Sequence, residues 1–294
     1  MLNTSFAGST LTTIMVNSHP HVTSIGEGIN ARIFRKPGKS ATYPCSCGTV
    51  VGQCEFWQAL GRRVRERGVP FDIARIRLGY APESRMGRRI VSRLPPSAFA
   101  PYHAMTQAVS GLRRRRLDDA NRALIASALE IDNARLFFLA GKSLFGHYQL
   151  MRLPDLDVRF LRIIRDARSF AASYKVKGRS VEDAARVWRR SQAAIDEFIA
   201  VHVPKGRVLT IKYEELCRAP METLTGIHGF FELEPVDVPE VFYPGKQHIT
   251  GNRIRLEREI RVRSVERWRR VLSADELALV ERATGTMNAA MGYS

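Results

Sequence analysis

The chain has 294 residues, 45% of them apolar, which is enough for a sizeable core in one large domain or at most two. Glycine (21) and proline (14) are ordinary in number, and no apolar run approaches the ~18 residues of a membrane span, so collagen-like, low-complexity and membrane-spanning helical chains are excluded. Lys and Arg (46) outnumber Asp and Glu (29), and the resulting charge of +17 attracts anions: nucleic acid, phosphorylated nucleotides, acidic glycans or lipid head groups.

In chain order, the first residues are small and polar and carry no secretory pattern of basic stretch and apolar core. A short strand is expected at the very N-terminus. The loop after it ends in Gly8, Ser9 and Thr10, and a helix is expected from Leu11 to Val16. Residues 43–57 read as a loop. From Trp57 to about Glu130 the pattern is mostly helical, broken at 68–70 and 94–96, with a basic run at 113–116. Then the rhythm changes. Short apolar runs at 135–140, 158–164 and 208–212 read as buried strands, separated by helices at about 167–176, 181–201 and 220–231. Strands alternating with helices predict βαβ units and a parallel sheet, with ligands at the carboxyl ends of the strands.

Polar residues do follow each strand. The turn at 8–10 offers backbone N–H groups, two hydroxyls and a helix dipole to an anion; alone, it is also an ordinary helix start. It lacks the lysine of a Walker A loop. Lys142 follows the second run and has the reach to meet the same anion. Arg165 follows the third, with Ser173 eight residues on, and the pair suits a second phosphate unless Arg165 is tied to Asp166. Tyr213 follows the fourth, placed to pack on a purine or in the core. Gly251, Asn252 and Arg253 form a polar segment able to close over an anion.

Taken together these segments resemble the sulfotransferases that use 3′-phosphoadenosine 5′-phosphosulfate (PAPS), over nearly the whole chain. Ser5, Phe6, Ala7, Gly8, Ser9 and Thr10 resemble the loop that binds the 5′-phosphosulfate. Residues 164–174 are similar to the 3′-phosphate segment, with its arginine and serine eight apart. Lys212, Tyr213, Glu214, Glu215 and Leu216 resemble a Tyr-Glu-Asp-Leu element near the adenine, and 250–253 resemble a C-terminal loop. The stretch from His19 to Glu27 resembles one in tyrosylprotein-type and bacterial members. In the former its glutamate is the base.

The resemblance implies an α/β fold: a three-layer parallel sheet flanked by helices (the P-loop NTPase-like sulfotransferase fold), with a mostly helical insertion. It implies one domain over 1–294, with an acceptor-binding cap at about 57–130. The reaction implied is sulfonate transfer from PAPS to a hydroxyl or amine of a carbohydrate, lipid or small alcohol, with no metal expected. Glu27 and Lys142 are the catalytic candidates. Phe6, Ala7, Gly8, Ser9, Thr10, Arg165, Ser173, Tyr213, Gly251, Asn252 and Arg253 are the cofactor-binding candidates. Phe6 stands where the family commonly has Lys or Arg, which leaves Lys142 to supply that charge. As a base Glu27 needs partial burial and a raised pKa; His19, His21, His103 and His147 remain alternatives.

Cys45, Cys47 and Cys54 put three thiols in ten residues. Zinc requires a fourth ligand and favours two-residue spacers, so packed free thiols lead over zinc or a redox pair. With only one further cysteine, Cys217, the chain reads as a cytoplasmic protein of a reducing compartment. An anionic acceptor or peripheral membrane contact fits the charge, and nucleic acid is not expected because the basic runs are poor in aromatics. A P-loop kinase or NTPase and a basic nucleic-acid binder are the competing readings.

Overall fold

The computed structural model describes residues 1–4, 6–27, 43–72, 78, 85–262 and 266–293, with the backbone alone at 85, 88, 108–110 and 112–114. Ser5 of the phosphosulfate-type loop lies outside them, as do the side chains of Arg113 and Arg114 in the basic run; Arg115 and Arg116 are exposed.

Four strands run parallel: β1 (Val22–Gly26), β2 (Leu136–Leu139), β3 (Phe160–Ile164) and β4 (Val208–Lys212). β1 pairs with β2, setting Val22 opposite Leu136 and Gly26 opposite Leu139. β3 pairs with β4, from Phe160 opposite Val208 to Ile164 opposite Lys212. The chain start lies between the two pairs. The Met1 amine donates to the Leu139 carbonyl at 2.8 Å. The Leu2 N–H donates to Leu161 at 2.8 Å, and its carbonyl accepts from Ile163 at 3.0 Å. The expected N-terminal strand is thus reduced to a single bridge, Leu2 to Arg162.

The helices are α1 (Ser9–Val16), α2 (Glu55–Glu66), α3 (Arg85–Val91), α4 (Phe99–Ile131), α5 (Leu144–Leu150), α6 (Ala167–Lys175), α7 (Val181–His202), α8 (Tyr213–Arg218), α9 (Pro220–Phe230), α10 (Trp268–Val271) and α11 (Ala274–Ala290). A small antiparallel pair joins β5 (Val241–Phe242) to β6 (Ile260–Arg261). Among the described residues no helix is long and apolar enough to cross a membrane.

Strand side chains alternate between faces, and β3 displays the consequence. Leu161 and Ile163 pack with Ile14 and Met15 of α1 and Leu224 and Ile227 of α9. Phe160 packs the other way, with Phe145 and Tyr148 of α5 and Ile195 and Phe198 of α7. Arg162, on that second face, is buried but paired: its guanidinium meets Asp196 at 2.6 Å and Gln192 at 3.2 Å on α7. Helices therefore cover both faces, which gives the three layers.

The described residues of 57–130 are mostly helical, with breaks near the expected points. Its elements also form the crossover from β1 to β2. Ala123, Leu124 and Ala128 of α4 share a buried cluster with Ile25 of β1 and with Trp57 and Leu60 of α2.

β1 itself is absent from the sequence-based expectation. Its Val-Thr-Ser-Ile-Gly run breaks the apolar pattern, yet all five residues are buried. Thr23 Oγ1 donates to Asp132 at 2.5 Å, and Ser24 Oγ donates to the Phe138 carbonyl at 2.6 Å. Partnered hydroxyls remove the cost that would otherwise bar them from a core.

Candidate cofactor cleft at the strand ends

A cleft of about 610 Å³ opens at the carboxyl ends of the strands. Of the sequence-predicted site residues, Phe6, Gly8, Ser9, Thr10, Glu27, Lys142, Arg165, Ser173, Tyr213, Gly251 and Asn252 line it. Ala7 and Arg253 do not. Ala7 is fully buried, its N–H bonded to the Thr4 carbonyl at 3.3 Å, and the Arg253 side chain is exposed on a turn outside the cleft.

The first wall is the N-terminal turn of α1. No side chain caps it, so the N–H groups that a helix leaves without carbonyl partners face the cleft end. Gly8 makes this turn with φ 84°, and a Cβ there would stand 2.0 Å from the Tyr213 ring. Only glycine suits both the backbone and the contact. The Arg165 guanidinium lies over the same ring, 4.7 Å from its centroid. The tyrosine is therefore clasped between the Gly8 turn and the strand-end arginine.

Arg165 donates to the Phe6 carbonyl at 2.5 Å, and its buried Nε has no partner. The alternative of an Arg165–Asp166 pair is not realised. Asp166 instead caps α6 and takes Arg168 in a fork at 2.8–3.1 Å. Among the described residues no carboxylate lies within salt-bridge distance of Arg165, so its charge remains available to a ligand. Ser173, two turns along α6, lends its hydroxyl to the Ser169 carbonyl at 3.0 Å.

Glu27 follows β1 directly. Its Oε1 meets Lys142 Nζ at 2.9 Å and Ser9 Oγ at 3.4 Å. The two side chains are 26% and 39% exposed, so Glu27 has the partial burial expected of it. Gly26 enables this corner: with φ 79°, it lets the Thr250 carbonyl approach to where a Cβ would be only 2.0 Å away. Thr250 bonds Ile25 through both N–H (3.1 Å) and Oγ1 (2.9 Å), and the Asn252 N–H reaches Thr10 Oγ1 at 3.1 Å. The 250–252 segment is thus stitched across the mouth of the cleft.

Three cations that sequence reasoning passed over, Lys177, Arg179 and Arg267, also line the cleft. The basic run from Lys175 to Arg179 just beyond Ser173 was the available signal for two of them. Phe6 packs edge-on against Tyr174 at 5.0 Å, with the Arg179 guanidinium 5.9 Å from its ring, so positive charge returns near Phe6 from the turn after α6. Five cations face one carboxylate in the lining, a balance suited to a ligand with several negative charges.

None of the four histidines kept as alternative bases lines the cleft. His19 is buried, donating from Nε2 to the Glu234 carbonyl at 2.9 Å and accepting the His21 N–H on Nδ1 at 3.0 Å. His103 pairs with Gln149 at 2.6 Å.

His147 sits behind the turn that carries Lys142, donating from Nε2 to the Gly141 carbonyl at 3.0 Å. Burial, assisted by the nearby Met1 amine, pushes its pKa down to about 3. A depressed folded-state pKa gives stability that is present above pH 6.5 and is lost as pH falls toward 3. At about 1.4 kcal/mol per pH unit, the loss amounts to roughly 5 kcal/mol. Thermal melts from pH 7 to 4 will show a falling Tm, and His147→Gln will flatten that slope.

The model of a sulfotransferase family matches residues 150–237. No curated protein matches the chain. Among solved structures, the chain is similar to the sulfotransferase domain from the curacin biosynthetic pathway, at 14% identity and TM-score 0.48, over 98% of this chain and 94% of that one. It is also similar to the sulfotransferase domain of the Synechococcus PCC 7002 olefin synthase, at 16% identity and TM-score 0.48, over 94% and 90%. The segment matched by the family model holds β3, Arg165, Ser173, β4 and Tyr213, so the similarity to that sulfotransferase family falls on one wall of the cleft.

Proposed function

We propose that the chain transfers a sulfonate group from PAPS to a hydroxyl or amine of an acceptor. One observation carries this reading. The α1 turn and Lys142 on one side, and Arg165 and Ser173 on the other, converge on a single cleft, as two separate anionic groups of one nucleotide require. The unpartnered Arg165 Nε and the uncapped α1 turn fit such a ligand.

PAPS, when bound, supplies the sulfonate and a bisphosphate leaving group. The α1 turn, Ser9, Thr10 and Lys142 hold the phosphosulfate and offset charge on the bridging oxygen. Arg165 forks onto the 3′-phosphate, and the Ser173 hydroxyl turns from Ser169 to the same group. Glu27 takes the acceptor proton. Its Oε1 carries the Lys142 and Ser9 contacts and Oε2 carries neither, so Oε2 is placed to accept. Such a transfer needs the in-line geometry and cationic surround of phosphoryl transfer, with less charge to neutralise. The acceptor enters from the helical region, and the exposed Arg115 and Arg116 favour an anionic acceptor or a lipid surface.

Incubation with sulfur-labelled PAPS and a cell extract tests the transfer, and calorimetry with adenosine 3′,5′-bisphosphate against ATP tests the cradle. Preference for the bisphosphate is expected. Equal or tighter ATP binding overturns the reading in favour of a kinase or NTPase. Arg165→Ala should weaken bisphosphate binding about 10- to 100-fold, the ~1.5–3 kcal/mol of a charge-assisted contact. Unchanged affinity would remove Arg165 from the site.

A further inference from the structure

We infer that Cys45, Cys47, Cys54 and His248 bind a structural zinc ion. The three Sγ atoms and Nδ1 of His248 all lie within 4.8 Å of one another. Cys47 Sγ stands 3.6 Å from Cys54 Sγ, which stands 3.2 Å from His248 Nδ1. Bond lengths of about 2.3 Å to sulfur and 2.0 Å to nitrogen give a tetrahedron with edges of roughly 3.5–3.8 Å. The Cys47–Cys54 and Cys54–His248 separations are close to such edges, and the 3.6 Å between the two sulfurs is far above the ~2.05 Å of a disulfide.

The objection raised by sequence alone, a missing fourth ligand, is answered from 194 residues away in the chain. The single-residue spacer between Cys45 and Cys47 is accommodated by a tight loop. The Cys45 N–H bonds the Thr49 carbonyl at 2.8 Å, and the Gly48 N–H bonds the Cys45 carbonyl at 3.1 Å. The donors are also oriented. The His248 ring stacks on Phe56 at 5.0 Å with planes 2° apart. Cys54 is the N-cap residue of α2. Cys45 and Cys54 are almost fully buried, at 0% and 1% exposure. Three thiolates and one imidazole form a closed ligand set, which marks a structural site, and ligation releases the three thiol protons.

The position gives the ion a task. Ser46, between two ligands, accepts the Ile249 N–H at 3.0 Å and donates to the Gln247 carbonyl at 2.5 Å. Arg255 holds the Pro44 carbonyl at 3.0 Å. Two residues past His248, Thr250 joins β1 and Asn252 joins Thr10. The ion thus fastens the cysteine loop to the segment that crosses the cleft, while no ligand lines the cleft itself. This holds whatever reaction the cleft performs.

The test is metal analysis of the full chain, purified under reducing conditions from zinc-supplemented cells and passed over a chelating resin. About one zinc per chain is expected. Cys47→Ser and His248→Ala should each lose most of it, and Cys217→Ala should keep it. Should a variant fail to fold, the wild-type protein suffices. Blocking its thiols beside a zinc indicator should release one zinc, and cobalt substitution should give a tetrahedral spectrum with thiolate charge transfer. Metal-free protein that takes up no added zinc, an octahedral cobalt spectrum, or a mapped Cys47–Cys54 disulfide in the reduced preparation would each overturn the assignment.

Discussion

Glu27→Gln should lower turnover about 100-fold or more while leaving bisphosphate affinity within a few-fold of wild type, because a general base acts on the barrier and not on cofactor binding. The substitution is informative because the two roles proposed for Glu27 are separable. Through Oε1 it positions Lys142 and Ser9, and a glutamine carbonyl still accepts both contacts. Only the ability to take a proton is removed. A purely positioning glutamate would therefore tolerate the change, with turnover near normal and the acidic limb of the kcat/KM profile retained. A base would lose both rate and limb. The histidines offer no rescue, since His19, His103 and His147 are buried outside the cleft.

How far such roles were legible in the sequence depended on whether the signal was local. The strands at 136–139, 160–164 and 208–212 could be read because each is a short, mostly apolar run bounded by polar residues. The Arg165 to Ser173 spacing was visible because one helix carries the offset. β1 was not visible, since its Thr23 and Ser24 are polar in composition and become core only through Asp132 and the Phe138 carbonyl, more than a hundred residues away. His248 escaped for the same reason. Nothing near it in sequence names Cys54, and the fold alone brings the two together. The parting of Asp166 from Arg165 was likewise undecidable until α6 turned Arg168 back onto its capping carboxylate. Contacts between segments far apart in the chain thus decide which cations and thiols meet, and the local sequence does not.

Lys142→Ala should reduce kcat by about 100- to 1,000-fold, the range for removing one preorganised group that meets charge developing in the transition state. Phe6 occupies the loop position where the resemblance leads one to expect a cation, and its ring turns to Tyr174. Of the five cations in the lining, Lys142 alone is paired to the carboxylate beside the α1 turn. Its removal has a second consequence: Glu27 is left without its counter-charge against an anion cradle and repels the ligand. The double variant with Glu27→Gln separates the two effects. If Lys142 merely neutralises Glu27, the double variant regains both affinity and turnover relative to Lys142→Ala. If Lys142 stabilises the departing oxygen, affinity returns and turnover does not, and Lys142→Arg restores part of the rate because charge persists while its geometry changes. Turnover in Lys142→Ala within threefold of wild type would take the lysine out of the chemistry and leave the bridging oxygen to the α1 turn alone.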